Sequence, residues 1–327
     1  MRYRQLGSTG IEVSEIGYGA WGIGGKLWQD GDDNEALSAL RRAIDLGLNF
    51  IDTALAYGDG HSEELVGQIE RESGKTLYIA SKVPPKNLTW PAKPGIPIDQ
   101  VFPYDHVMAC TEKSLSHLKR DYLDLQQLHV WNPEWIASDE WRRAFEHLKK
   151  SGKARHVGIS INNHDPNSAL ELMRTGLIDS VQVIYNIFDQ SPETKLFPLA
   201  LELGVGVLAR VPLDEGALTG TIREDSVFPE GDFRNRYFKG DRKKQVVEHV
   251  DALKRDLADV REGGEAPLPE VALRYCLSDT AVSTVIPGMR KVRNVEQNCA
   301  VSDMGPLPLD VIATCKRHAW DRDFYSA

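Results

Sequence analysis

Short apolar runs recur along this chain, and each is followed by a segment with helical spacing. Residues 14–20, 50–51, 77–80, 122–128, 157–160, 180–184, 205–209 and 282–286 read as strands. The spacing predicts helices from Asp33 onward and over 62–73, 104–120, 141–151, 166–175 and 193–203. In the first of these Ala36, Leu40, Ala43 and Ile44 share one face. Strands apolar on both faces belong to a covered parallel sheet. Eight β-then-α units in 327 residues predict an α/β fold, a closed (β/α)8 TIM barrel. Residues 2–13, around Gly7 and Gly10, read as an N-terminal β-hairpin, and 307–320 as an extra C-terminal helix. No compositional break divides the chain, so residues 1–327 are read as one domain. The six-proline stretch 84–103 and the aperiodic stretch 214–241 are expected as long active-site loops.

One motif points elsewhere. Gly17-Tyr18-Gly19-Ala20-Trp21-Gly22 spells GxGxxG directly after a predicted strand. In the doubly wound fold a helix starts at those glycines and meets a pyrophosphate with its N-terminus. Here the helix waits until Asp33, so the barrel reading prevails. A net charge of −9, spread along the chain, argues against a nucleic-acid partner. No run approaches the ~20 apolar residues of a membrane span. The four scattered cysteines read as reduced thiols of a cytoplasmic protein, and no His/Cys spacing suggests a metal.

In a parallel barrel all strand C-termini open on one rim. Asp52 and Tyr57 follow the second strand, Lys82 ends the third, and His129 ends the fourth. A free tyrosine, with a pKa of about 10, is a weak acid at neutral pH. An ammonium beside it favours phenolate. Lys82 could serve so, held by Asp52, while His129 orients a carbonyl oxygen. Such a set moves a proton to or from an alcohol or ketone oxygen, and a cofactor must move the hydride.

The run Phe50-Ile51-Asp52-Thr53-Ala54, then Tyr57-Gly58, Gly60, Ser62-Glu63 and Leu65-Val66-Gly67, resembles the signature of the aldo-keto reductase family. Ser81-Lys82, Leu128-His129, Val157-Gly158-Ile159-Ser160, Gln182 through Asn186 and Ile286-Pro287-Gly288 continue the resemblance in order. It implies carbonyl reduction with NADP, or NAD as the second choice, and catalysis by Asp52, Tyr57, Lys82 and His129, with Tyr57 the acid. It implies Ser160 and Gln182 on the nicotinamide carboxamide and Tyr185 stacked on the ring. Where the family has Asn after the serine this chain has Ile161, so Asn162 is expected to substitute. Gly19, Ala20 and Trp21 should line the cleft, and Leu213 and Asp214 should border the pyrophosphate. Residues 288–298 resemble the adenosine segment, with Gly288 at its start and Gln297 and Asn298 near the adenine. Arg290, Lys291 and Arg293 open a helix, the end that favours negative charge, and a 2′-phosphate there would resolve the mismatch. Gly288 and Met289 stand where the family's lysine and serine would be.

Trp21, Trp28 and Trp131 are expected to wall a pocket for a small-molecule carbonyl substrate. Asn132, Asn163 and His164 suggest a sugar. Trp90, Trp135, Trp141 and Trp320 read as structural. Two other readings remain: a non-catalytic nicotinamide-binding regulatory subunit, and a barrel aldolase with Lys82 as its Schiff-base lysine. The sequence does not settle the oligomeric state.

Overall fold

The computed structural model describes residues 1–25, 27–28, 31–260 and 267–325. A hairpin opens the chain, β1 (Tyr3–Gln5) against β2 (Glu12–Ser14). Eight parallel strands follow: β3 (Tyr18–Gly19), β4 (Phe50–Asp52), β5 (Tyr78–Val83), β6 (Leu123–Leu128), β7 (Ala154–Ser160), β8 (Ser180–Ile184), β9 (Gly206–Arg210) and β10 (Val282–Val285). They pair in chain order. Parallel bridges from Ile16 to Val285 and from Gly19 to Gly288 join the two edges, as the (β/α)8 reading requires.

Two apolar layers follow from the period of two along each strand. Phe50, Ala80, Leu125, Leu208 and Ile286 face the barrel axis, where Leu6, Ile11 and Val13 of the hairpin join them and plug one end. The alternate residues, among them Ile51, Ile79, Val181, Val183, Val207 and Ala209, pack outward on the helices. Those helices are α1 (Asp33–Asp45), α2 (His61–Ser73), α3 (Tyr104–Leu118), α4 (Asp139–Lys150), α5 (Leu170–Arg174) and α6 (Leu196–Leu203). Asp32 caps α1 by accepting the Asn34 N–H, and Ser138 caps α4 in the same way.

After β9 the chain departs from the sequence expectation. The stretch 214–241 contains a 3-10 turn, Asp214–Thr219, and a short helix α7 (Phe233–Tyr237). Two helices in a stretch to which the sequence spacing assigns no element come next, α8 (Arg242–Val260) and α9 (Leu268–Ser278). On α8 Val246, Val250, Leu253 and Leu257 are buried, a stripe narrow enough to escape notice among its charges. Then come α10 (Val292–Ala300) and α11 (Leu309–Lys316), the expected terminal helix at a shorter length. Among the described residues no helix is long and apolar enough to cross a membrane.

Candidate active site

Four strands present a polar residue two positions after an inward core residue, at the rim. Phe50 leads to Asp52, Ala80 to Lys82, Leu125 to Gln127 and Leu208 to Arg210. Strands β4, β5 and β6 are neighbours in register, with Asp52 opposite Ala80 and Lys82 opposite Gln127. The side chains therefore meet inside the barrel mouth. The Lys82 ammonium is fully buried and donates to Asp52 Oδ2 at 2.6 Å, to the Thr53 carbonyl at 2.8 Å and to the Tyr57 hydroxyl at 3.2 Å. All three of its protons are thus used. Asp52 Oδ1 accepts from Gln182 at 2.8 Å and from Gln127 at 3.3 Å.

Tyr57 lies on the loop after β4, and that loop is placed by a close backbone approach. Gly58 has φ +69°, and a Cβ there would fall 2.0 Å from the Gly24 carbonyl oxygen, so only glycine fits. The Tyr57 ring stands edge-on to His129 at 5.7 Å and tilted toward Trp21 at 6.3 Å. Burial raises its phenol above the ordinary value, and Lys82 offsets only part of that. The ammonium was expected to win this contest. Desolvation wins instead, and the phenol keeps its proton at neutral pH. Burial, then the charges of Lys82 and Arg210, hold the His129 imidazole well below its ordinary value, so it is neutral.

Several expected contacts are not made. Tyr185 does not face the mouth: three residues after inward Gln182 it points outward, packs on Phe197 and Tyr275, and donates to Glu193 at 2.8 Å. Asn162 is committed to the 84–103 loop, pairing with both the N–H and the C=O of Ala92. Trp131 is fully buried among Trp135 and Trp141, because β6 ends at Leu128 and the chain turns outward before the next inward position. The Asp214 carboxylate turns toward the C-terminal tail, where Arg322 and Tyr237 hold it. The polar residues expected to meet a sugar are engaged as well. Asn132 donates to Lys93 O, Asn163 accepts from Arg210, and His164 pairs with Asp189 at 2.7 Å.

Other expected residues do reach the rim. Ser160 ends β7 opposite Gln182, and Gly19 ends β3 beside Gly288. Ala20 is buried, with its carbonyl accepting from Ser62, and half-buried Trp21 follows. Trp28 stands edge-on to Trp21 at 5.3 Å, and Phe233 of α7 packs on Trp21 at 5.0 Å. Leu213 is half-buried at the start of the turn after β9. Arg290 lies along Gly22 and over the Trp28 ring at 5.6 Å. Arg293 and Gln297 are exposed on α10, Asn298 is buried there, and Lys291 caps that helix without a side-chain bond.

Four contributors escaped the sequence reading. Gln127 and Arg210 carry the parity signal given above. Trp90, read as structural, stands edge-on to His129 at 5.8 Å, and Phe233 belongs to a helix that was not expected.

Three buried polar atoms near this mouth have no protein partner: His129 Nδ1, Arg210 Nε and Trp28 Nε1. Buried polar atoms are usually paired, so these three are open to polar groups of a ligand. The parallel barrel and the Asp-Tyr-Lys-His cluster at its strand C-termini are those that the sequence resemblance implies for an oxidoreductase. The aldo/keto reductase family model matches residues 15–319, and the chain belongs to that family. It is 32% identical to aldo-keto reductase YhdN of Bacillus subtilis over 307 residues, covering 90% of this chain and 87% of that one. It is 28% identical to the NADH-specific methylglyoxal reductase of Escherichia coli, covering 92% and 93%. The holo form of AKR11C1 from Bacillus halodurans superposes with a TM-score of 0.75 at 29% identity, covering 98% of this chain and 96% of that one.

Proposed function

We propose that the protein is a cytoplasmic NADP-dependent carbonyl reductase, working as one barrel domain on a small-molecule aldehyde or ketone. The carrying observation is the Lys82 ammonium held between Asp52 and the Tyr57 hydroxyl. The cofactor supplies the hydride when bound. Tyr57 keeps its proton at neutral pH and gives it to the carbonyl oxygen, and Lys82 stabilises the phenolate that remains. Asp52 holds Lys82 in place, and neutral His129 offers a hydrogen bond that orients the oxygen. Ser160 and Gln182, opposite each other on β7 and β8, suit the carboxamide. Residues 19–21 and Leu213 suit the middle of the cofactor, and Gly288, Gln297 and Asn298 the adenosine.

Exposed Arg293 and nearby Arg290 support a 2′-phosphate, hence NADP over NAD. A tenfold preference for 2′-phospho-AMP over AMP, lost in Arg293→Ala, would support this choice. The mouth is walled by Trp21, Trp28, Trp90 and Phe233, which favours a carbonyl on an apolar or planar body over a sugar. The aldolase reading loses support, since a Schiff base needs a neutral amine and Lys82 is a fully bonded ammonium. The regulatory-subunit reading gains nothing from a site with all four catalytic side chains assembled. The test is Tyr57→Phe, assayed by nicotinamide oxidation with an aromatic aldehyde. Cofactor affinity should persist while turnover falls at least a hundredfold, the lower range for a lost acid. Turnover near the wild-type rate would refute the assignment.

A further inference from the structure

Two cations stand at the mouth, and their surroundings differ. Lys82 is matched by Asp52 at 2.6 Å. Arg210 ends β9 on the inner face, two residues beyond Leu208, and its Nη2 donates to Ile161 O at 3.1 Å and to Asn163 Oδ1 at 2.8 Å. Both of those acceptors are neutral, and its Nε is buried without a partner. Among the described residues no carboxylate lies within ion-pair distance of Arg210. Of the acids nearby, Asp214 pairs with Arg322 and Asp189 with His164, while Glu215 accepts from the Tyr325 hydroxyl and feels the Arg210 charge without pairing to it, its carboxyl raised by burial to about 7. The Arg210 charge is thus only partly offset, and its field reaches both Tyr57 and His129.

The two states of the cofactor differ in charge where it matters. An oxidised nicotinamide ring is a cation, and a reduced one is neutral. We infer that Arg210 is a redox-state selector: it repels the oxidised ring, so that the site loads the reduced cofactor and expels the spent one. This rests on the reading that a nicotinamide meets Tyr57 and His129. The same repulsion opposes charge developing on the ring as hydride leaves it, so the gain lies in loading and release rather than in the chemical step. Within a site of reduced dielectric, a fixed like charge a few ångströms away is worth a tenfold or larger factor in affinity.

The test is binding, read by quenching of tryptophan fluorescence, with NADPH, NADP+ and 2′-phospho-ADP-ribose as probes. Wild-type protein is expected to hold NADPH at least about tenfold more tightly than NADP+. In Arg210→Met that ratio should fall about tenfold, mainly through tighter NADP+, with 2′-phospho-ADP-ribose unchanged. Arg210→Lys should keep the ratio. An unchanged ratio in Arg210→Met, or a parallel loss of all three affinities, overturns the inference. Should that variant not fold, a wild-type ratio near one overturns it equally. Wild-type protein that bound neither redox form would instead sink the proposed function.

Discussion

Asp52→Asn probes the buried charge set most directly. Among the described residues Asp52 is the only carboxylate on the Lys82 ammonium, and both side chains are almost wholly shielded from water. Its second oxygen takes amide protons from Gln182 and Gln127. The substitution leaves a buried cation with neutral acceptors alone, and it puts an amide group where three donors converge. Breaking a buried pair from one side costs about 3–5 kcal/mol. Lys82 can limit the damage by losing its proton, because burial pulls its pKa down and the Asp52 charge is the chief force holding it up. We therefore expect about 3 kcal/mol, the lower end of that range. At roughly 2 °C per kcal/mol for a chain of this size, the melting temperature falls by about 6 °C. Urea unfolding of four proteins measures it: wild type, Asp52→Asn, Lys82→Met and the double variant. The double variant buries no charge and should recover about 2 kcal/mol relative to the sum of the single effects. Carbonyl reduction stays abolished in all three variants. A loss under about 1 kcal/mol in Asp52→Asn, or strict additivity in the double variant, would refute a buried, mutually compensating pair.

Further outcomes follow from the same geometry. Asn162→Ala removes both bonds to Ala92 and should free the 84–103 loop, so limited proteolysis there should accelerate while global unfolding shifts by only about 1–2 kcal/mol. His129 is held neutral in the folded state, so the pH profile of kcat/KM should show no histidine break between about pH 5 and 8. Its contribution to stability is complete above about pH 6.5 and is lost as the pH falls, since the unfolded imidazole takes up the proton. Glu215 behaves oppositely. Burial raises its carboxyl to about 7, against the Tyr325 hydrogen bond that lowers it, with Asp214 raising it and Arg210 and Arg234 lowering it. Below the ordinary carboxyl value this contribution is fully present, and it is lost as the pH rises through about 7. The difference in stability between wild type and Glu215→Gln should therefore change across that window, and a constant difference would count against the burial.

How much of the site was legible depends on strand parity. Asp52 and Lys82 each lie two positions after an inward residue near the end of a strand, and His129 directly follows β6, so their convergence could be read from the sequence alone. Tyr185 was expected on the ring from the family resemblance alone, and the same rule places it outward, three residues after inward Gln182. Arg210 was there to be found, a charge two residues after a buried leucine at the end of an apolar run. Trp131 differs: its parity was right, but parity holds only while the strand lasts, and β6 stops at Leu128. Trp90 and Phe233 were beyond reach. Their positions depend on where the chain runs between strands, through bonds such as Asn162–Ala92 and Phe233 N–H to Leu27 O. No periodicity encodes such contacts.

These two unread aromatics bear directly on what enters the mouth. Trp90 is 42% exposed, an unusual state for tryptophan, and its ring meets the imidazole proposed to orient the carbonyl. Across the mouth Trp21 leans on Tyr57 and is backed by Trp28 and Phe233. A flat apolar substrate body would lie between the two walls, and a two- or three-carbon aldehyde would reach neither. Trp90→Ala removes one wall without touching Lys82, Asp52 or Tyr57. An aromatic contact is worth about 0.5–1.5 kcal/mol beyond burial, or roughly a three- to tenfold change in kcat/KM. That loss should fall on a planar aromatic aldehyde and appear in KM, while a short aliphatic aldehyde is reduced at nearly the wild-type rate. Equal losses on both substrates would mean that Trp90 acts by holding His129 in place. No loss on either would mean that the aromatic mouth does not read the substrate at all.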